Sequence, residues 1–573
     1  MVAIVIVLRL IGLLFDLILL PLRLLLRGRV VPRDTWLTIT VDGPVVDIAG
    51  KPRFWQLRAQ KALSLHVLDS VVTAMLGDPR VRGLCVTLRS MSGGMASATS
   101  LRAILARARA GGKEVVVHLP MGGDTKEVYV ATAANKVLLG PTAQLVPLGF
   151  RSATRYLKRV LDRAGIQPQV FACGEFKSAG ESLVRDSMSP EQRLQLEALL
   201  DTFHDALIDG IATGRGISRE RATDLVDAAP YFGPEAVAKG LADDLAYEDE
   251  VPEKLGVPRR RARSWSVDAG AYLAAVERPL LRSLIPPPVL SVIPVHGAIA
   301  HAAGPFEELS TDERVIRMVR AARRDRRVRG VILHVDSPGG SALASDLMHH
   351  EIAQLAREKP VVACMANVAA SGGYYVAAPA ACIVAQSTTV TGSIGVVAAR
   401  VSIDALLARL GITTEIIERG KNASLLSPTG DLDDAARATI ERELAATYRA
   451  FIGVVAAGRK MADDEVERLA RGRVYTGHAA HDVKLVDVVG GFDLAIEELR
   501  RRLHTRIRDR AVVKLARTPR QPLAVPTPPK DKEAARHAAA ALFTALLPPR
   551  ERVLVELALA GERVLAMAPI AET

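Results

Sequence analysis

The chain has 573 residues, too many for one hydrophobic core, so two or more domains are expected. Apolar residues make up 49% and charged residues 24%, the balance of a chain that folds. The net charge is +12, but aromatic residues are only 4% and no nucleic-acid motif is present, so the excess charge points to an anionic membrane surface and away from nucleic acid.

Residues 1–26 (MVAIVIVLRLIGLLFDLILLPLRLLL) form an apolar stretch. It exceeds the roughly 20 residues that a helix needs to cross a bilayer. Arg9 and Asp16 interrupt it and Pro21 offers a kink. Charges inside the apolar run, with no small-residue cleavage site after it, argue against a cleaved signal peptide. Residues 1–35 therefore read as a single membrane anchor or an interfacial hairpin. Arg23, Arg27, Arg29 and Arg33 follow, and the positive-inside rule would hold the main body on the cytoplasmic side.

A first α/β unit is expected over residues 36–250. Residues 36–46 read as a strand broken at Gly43. Residues 81–88 are a second strand, followed by Ser92-Gly93-Gly94 and a helix over 100–110. Further strands are expected at 114–119 and 136–139, with a helical turn from Thr125 between them. Strands alternating with helices predict parallel β/α/β units. Residues 251–287, rich in Pro and Arg, read as a linker around a short helix.

A second unit over residues 288–505 repeats this order. An offset of 246 relates Gly94 to Gly340, Tyr129 to Tyr375 and Gly149 to Gly395; an offset of 244 relates Gly214-Arg215 to Gly458-Arg459 and Tyr231 to Tyr475. The chain is a tandem duplication with copies of about 210 residues, the size of one α/β domain. Residues 506–573 read as a Pro-rich basic stretch and a helical tail. The four cysteines form no C-x-x-C pair. Cys85, Cys364 and Cys382 fall in apolar strand-like runs and read as buried thiols, so neither a metal nor a redox site is indicated.

The copies differ where chemistry would sit. In the second, the buried strand 361–365 runs into Ala370-Ser371-Gly372-Gly373, which puts a serine where a strand hands over to a helix. The next N–H groups would point at whatever that serine attacks. The first copy has Thr125-Lys126-Glu127 at this place. Conversely, it carries Lys177 in Gly174-Glu175-Phe176-Lys177-Ser178, where the second copy has Ala423. One copy holds a serine and the other a lysine, the pattern of a composite site between two units. A serine needs a base. No G-x-S-x-G elbow is present, and His334 lies in a strand run and reads as a satisfied core or edge histidine. A lysine can serve as base if burial lowers its pKa from the reference of about 10.4.

These motifs, with Asp336-Ser337-Pro338-Gly339-Gly340 and Thr391-Gly392-Ser393-Ile394-Gly395, resemble the signal peptide peptidase A family in its long, tandem-repeat protease IV type, from about Trp36 to Leu503. The resemblance implies a tandem ClpP/crotonase-like fold and a membrane-associated serine endopeptidase. It makes Ser371 the nucleophile, Lys177 the general base and Ser393 the group that orients the lysine. Gly372, with Gly339 or Gly340, would form the oxyanion hole. It also implies peptide substrates such as signal-peptide remnants, a homotetramer, no cofactor, and a body on the outer side of the cell (inner) membrane, against the charge rule. Two other readings stand beside it: a crotonase-type acyl-CoA enzyme and a non-catalytic membrane scaffold.

Overall fold

The structure is a computed structural model that describes residues 17–20, 31–50, 62–258, 264–277, 286–301, 309–425 and 427–518, and the backbone of 565–567. Among the described residues, no helix is long and apolar enough to cross a membrane. The anchor expected over residues 1–35 falls largely outside the described residues.

The first unit contains β1 (Thr35–Val46), β2 (Val81–Ser92), β3 (Glu114–Leu119), β4 (Lys136–Leu139), β5 (Gln167–Cys173), the long helix α1 (Pro190–Arg215), β6 (Asp244–Leu245), β7 (Ser266–Asp268) and α2 (Ala269–Glu277). Its main sheet runs β6-β4-β3-β2-β1-β7 with every neighbour parallel. Parallel strands are covered on both faces, which is why β3 (EVVVHL) is a nearly unbroken apolar run. Strand β1 is continuous through Gly43, contrary to the break expected there. Its register against β2 shifts at Val41/Asp42, and Gly43 takes a φ of 111°. The glycine lets the strand bend at a bulge instead of ending. Helix α1 starts at Ser189, whose hydroxyl accepts from Gln192 N–H, with Pro190 in the first turn, and stops at left-handed Gly216.

Residues 266–277, expected as linker, belong to this unit. Strand β7 adds to the edge of β1, and Ala269, Tyr272 and Leu273 of α2 enter the core. The short helix expected within this stretch is α2; the Pro and Arg content around it hid the strand and the fact that the helix packs into the first unit.

The second unit contains β8 (Val289–His296), β9 (Val328–Ser337), β10 (Gly339–Ser341), β11 (Val361–Ala370), the short helix α3 (Gly372–Ala377), β12 (Cys382–Ala385), β13 (Val390–Gly392), β14 (Val396–Ser402), helix α4 (Asp434–Arg459), β15 (Val474–Thr476) and β16 (Val512–Leu515). Its main sheet runs β15-β13-β11-β9-β8-β16, with β12 also on β11. Strand β16 joins β8 in parallel as β7 joins β1, so part of the C-terminal stretch completes the sheet.

The duplication is visible in single contacts. Arg215 pairs with Asp243 at 2.6 Å and Arg459 with Asp487 at 2.5 Å. Tyr231 and Tyr475 each donate a 2.8 Å hydrogen bond to a carbonyl six residues back, Leu225 and Leu469. A side chain at Gly214 would strike the carbonyl of Thr132, and one at Gly458 that of Ala378, so in both copies the long helix crosses the same turn in contact.

A third sheet joins the units. Its order is Ser310–Thr311, Ile299–Ala300, β10, β17 (Leu565–Met567), β14, β5. Strand β5 of the first unit lies antiparallel to β14 of the second, from Val396 opposite Cys173 to Ser402 opposite Gln167.

Candidate active site

The β5–β14 pairing creates the site. Lys177 follows β5 by four residues and Ser393 precedes β14 by three, so the antiparallel register sets one above the other. Lys177 Nζ lies 2.8 Å from Ser371 Oγ, 2.9 Å from the carbonyl of Ser393 and 3.1 Å from Ser393 Oγ. Lys177 is 4% exposed, and Ser371 and Ser393 are fully buried. Burial holds the Lys177 amine well below the ordinary lysine pKa. A neutral amine has two N–H donors and one lone pair. The two oxygens of Ser393 can take both donors, leaving the lone pair for the hydroxyl of Ser371. Among its described partners no carboxylate competes for the proton.

The backbone at both serines is unusual. Ser371 has φ 57°, ψ −115° and Ser393 has φ 51°, positions that L-residues seldom occupy. Ser371 N–H donates to the carbonyl of Gly392 (2.8 Å) and Ser393 N–H to that of Arg473 (2.6 Å), so backbone contacts fix both turns. Gly372 opens α3, where a helix leaves N–H groups without intrahelical acceptors. Gly373 must be glycine, since a Cβ there would lie 2.7 Å from the carbonyl of Ser337. That close approach brings the end of β9, and with it Gly339 and Gly340, beside the start of α3. Gly339 N–H donates to Ser337 Oγ at 3.1 Å, and Gly339 and Gly340 have φ 99° and 153°.

In the first copy the same place is filled. Thr125 Oγ1 donates to the Gly149 carbonyl at 3.2 Å, as Ser371 Oγ faces the Gly395 carbonyl at 3.5 Å. Lys126 Nζ donates to the Gly93 carbonyl (2.8 Å), and buried Glu127 accepts from Met91 N–H (2.9 Å). Their side chains stand where the second copy has two glycines.

His334 lies elsewhere. It is buried and has both ring nitrogens in hydrogen bonds, Nε2 with Asp47 Oδ2 (2.8 Å) and Nδ1 with His296 Nε2 (2.7 Å). Cys364 is its neighbour on β11, and Asp47, His334 and Cys364 offer ligand atoms within 4.8 Å of one another. Asp336 is half-buried and accepts from Val368 N–H at 3.1 Å, and burial of its carboxyl raises its pKa. It braces β9 against β11.

Two supporting residues were missed in the sequence. Gln195 on α1 is buried; its Nε2 donates to the Phe176 carbonyl (3.0 Å) and Ser178 Oγ (3.2 Å), while its Oε1 accepts from Val474 N–H (3.1 Å). It clamps the lysine loop to the second unit. A polar residue on the apolar stripe Leu196, Leu199, Phe203, Leu207 was the available signal. Gly472 is the other: its φ is 80°, and its N–H donates to the Ile394 carbonyl (2.8 Å).

The model of the family described as Peptidase family S49 matches residues 107–258 and again 353–506. Serine protease SPPA, chloroplastic, of Arabidopsis thaliana is 34% identical over 474 residues, 81% of this chain and 69% of that protein. Protease 4 of Haemophilus influenzae is 26% identical over 490 residues, 81% of this chain and 78% of that protein. Among solved structures, a membrane-bound stomatin-specific protease matches at 17% identity and TM-score 0.27, over 41% of this chain and 99% of its own. A ClpP1 variant from Listeria monocytogenes matches at 13% identity and TM-score 0.24, over 36% and 93%. The double family match bears out the expected tandem duplication.

Proposed function

Because the chain belongs to peptidase family S49, we propose that it is a membrane-associated serine endopeptidase in which Ser371 is the nucleophile and Lys177 the general base. One observation carries this reading: a buried lysine amine 2.8 Å from the hydroxyl of a serine at a strand-to-helix turn. Neutral Lys177 takes the proton of Ser371 Oγ as that oxygen attacks the scissile carbonyl. The N–H of Gly372 stabilises the oxyanion, with that of Gly340 or, once it leaves Ser337 Oγ, that of Gly339. The lysine then protonates the leaving amine, and water, with Lys177 again the base, frees the acyl group. Ser393 orients the amine throughout.

The substrates are apolar peptides of the kind left by signal-peptide cleavage, and the assembly is a homotetramer. Both rest on the family resemblance. Membrane association, with the body outside the cytoplasm, rests on that resemblance and on the apolar residues 1–26. An acyl-CoA enzyme of related fold would need carboxylates, and neither Lys177 nor Ser371 has one among its described hydrogen-bond partners. A fluorophosphonate probe tests the reading. It should label Ser371 and nothing else, and label neither the Ser371→Ala chain nor, at the same rate, the Lys177→Ala chain. Labelling that survives Ser371→Ala would overturn the assignment.

A further inference from the structure

Strands β10 and β14 flank the site and do not pair with each other; one strand width separates them, and β17, from the end of the chain, fills it. It is antiparallel to both neighbours: Leu565 lies opposite Ser341 and Val397, Ala566 opposite Gly340, and Met567 opposite Gly339. The slot is therefore bordered by the strand that begins at Gly339 and by the strand that follows Ser393 and carries β5 and the lysine loop on its far edge. Exposed strand edges recognise an added strand by main-chain hydrogen bonds, which read an extended backbone whatever its sequence.

The direction of β17 matters as much as its place. It runs from Ser341 toward Gly339, so its carboxyl side points to the end of the slot where α3 and Ser371 begin. A peptide lying this way would run its carboxyl side past Gly339 toward that end. Residues 564–570 read Val-Leu-Ala-Met-Ala-Pro-Ile, an uncharged, apolar stretch of the class of peptide proposed as substrate.

We infer that β17 is an internal ligand of the peptide slot: the C-terminal segment around Leu565–Met567 occupies the substrate's place, and a peptide must displace it to reach Ser371. The inference rests on the peptidase reading only for the identity of the slot's other occupant. It requires the tail, which the sequence presented as helical, to be extended where it meets the site.

The test compares the full chain with one ending at Ala560, using an apolar fluorogenic peptide. The truncated chain should show a KM at least several-fold lower with kcat little changed. A synthetic peptide of residues 561–573 should restore the higher KM competitively. Ala566→Pro in the full chain should mimic the truncation, since proline lacks the N–H of an inner strand. Binding of the same labelled peptide to the truncated Ser371→Ala chain, read by fluorescence anisotropy, needs no turnover. Peptide binding without hydrolysis by any chain would sink the peptidase reading and leave the slot. Hydrolysis with an unchanged KM and no peptide binding would overturn the internal ligand and leave the peptidase. A full-chain KM that rises with enzyme concentration would place the strand in a second copy and overturn its intramolecular form.

Discussion

A Cβ built on Gly472 would lie 2.6 Å from the Cβ of Lys177, closer than any real pair of such atoms. The two residues come from different copies, and the absent side chain of one is the space in which the other stands. Gly472 also holds φ 80°, a conformation costly to other residues by about 1–3 kcal/mol. Gly472→Ala should displace the lysine loop by a fraction of an ångström or more. Misplacement of about 1 Å can cost about a hundredfold in rate. A fall in kcat of tenfold to a hundredfold, with the circular dichroism of the native chain, is expected; wild-type kcat would show the contact to be slack.

The dyad assignment predicts unequal losses. Ser371→Ala and Lys177→Ala should each lower peptide hydrolysis on the order of a thousandfold or more, as loss of a nucleophile or its base does elsewhere. Ser393→Ala removes one of two oxygens from a single residue that hold the amine, while its carbonyl remains. A loss of about tenfold is expected. Steady-state rates on one peptide substrate decide the order of the three.

Burial sets the pH dependence. The Lys177 amine titrates well below its ordinary value, so activity should rise with pH through that lowered pKa and not near the reference value of about 10.4. Stability follows the same group. Between the lowered folded pKa and the unfolded one, the unfolded chain binds the extra proton, and stability rises with pH. Below the folded value the full burden of a buried charge remains. Lys177→Met should therefore melt above wild type near neutral pH, with the gap closing toward pH ~10. Melting curves at several pH values would check this, and a gap that widens with pH would contradict it.

Gln195→Ala leaves the Phe176 carbonyl and Val474 N–H without their shared partner. An unsatisfied buried group costs about 1–3 kcal/mol. The variant should lose stability by that order and lose kcat as the lysine loop loosens. Gln195→Glu should rescue only the contact with Val474, because it accepts but cannot donate to Phe176. Denaturant midpoints and kcat together would show whether stability falls alone.

The tandem order, most strand positions and the residues Ser371, Lys177 and Ser393 that meet in the structure were legible in the sequence because each is a local signal: an apolar run, a glycine pair, a serine at a turn. The internal repeat added a comparison within one chain, and the exchange of Ser371 for Thr125 and of Lys177 for Ala423 indicated a shared site. The β5–β14 pairing was not legible. Which strand edge meets which across some 230 residues leaves no local mark, and Gln169 opposite Arg400 reads as two ordinary polar residues. The short helix within 251–287 was legible, but its place in the first unit's core and the strand at Ser266–Asp268 were hidden by their Pro- and Arg-rich neighbours. The extended conformation at Leu565–Met567 was hidden by an Ala- and Leu-rich context that favours helix.

Strand β5 leads into Lys177 and β14 follows Ser393 beside Ser371, and a single polypeptide supplies both. The encounter between Lys177 and Ser371 is thus intramolecular, at an effective concentration that for tethered partners is on the order of millimolar. Dilution does not separate them. Breaking the chain within residues 278–285, between α2 and the second unit, would turn a first-order arrangement into a second-order one. The two fragments would then regain activity with a concentration dependence that measures the β5–β14 seam.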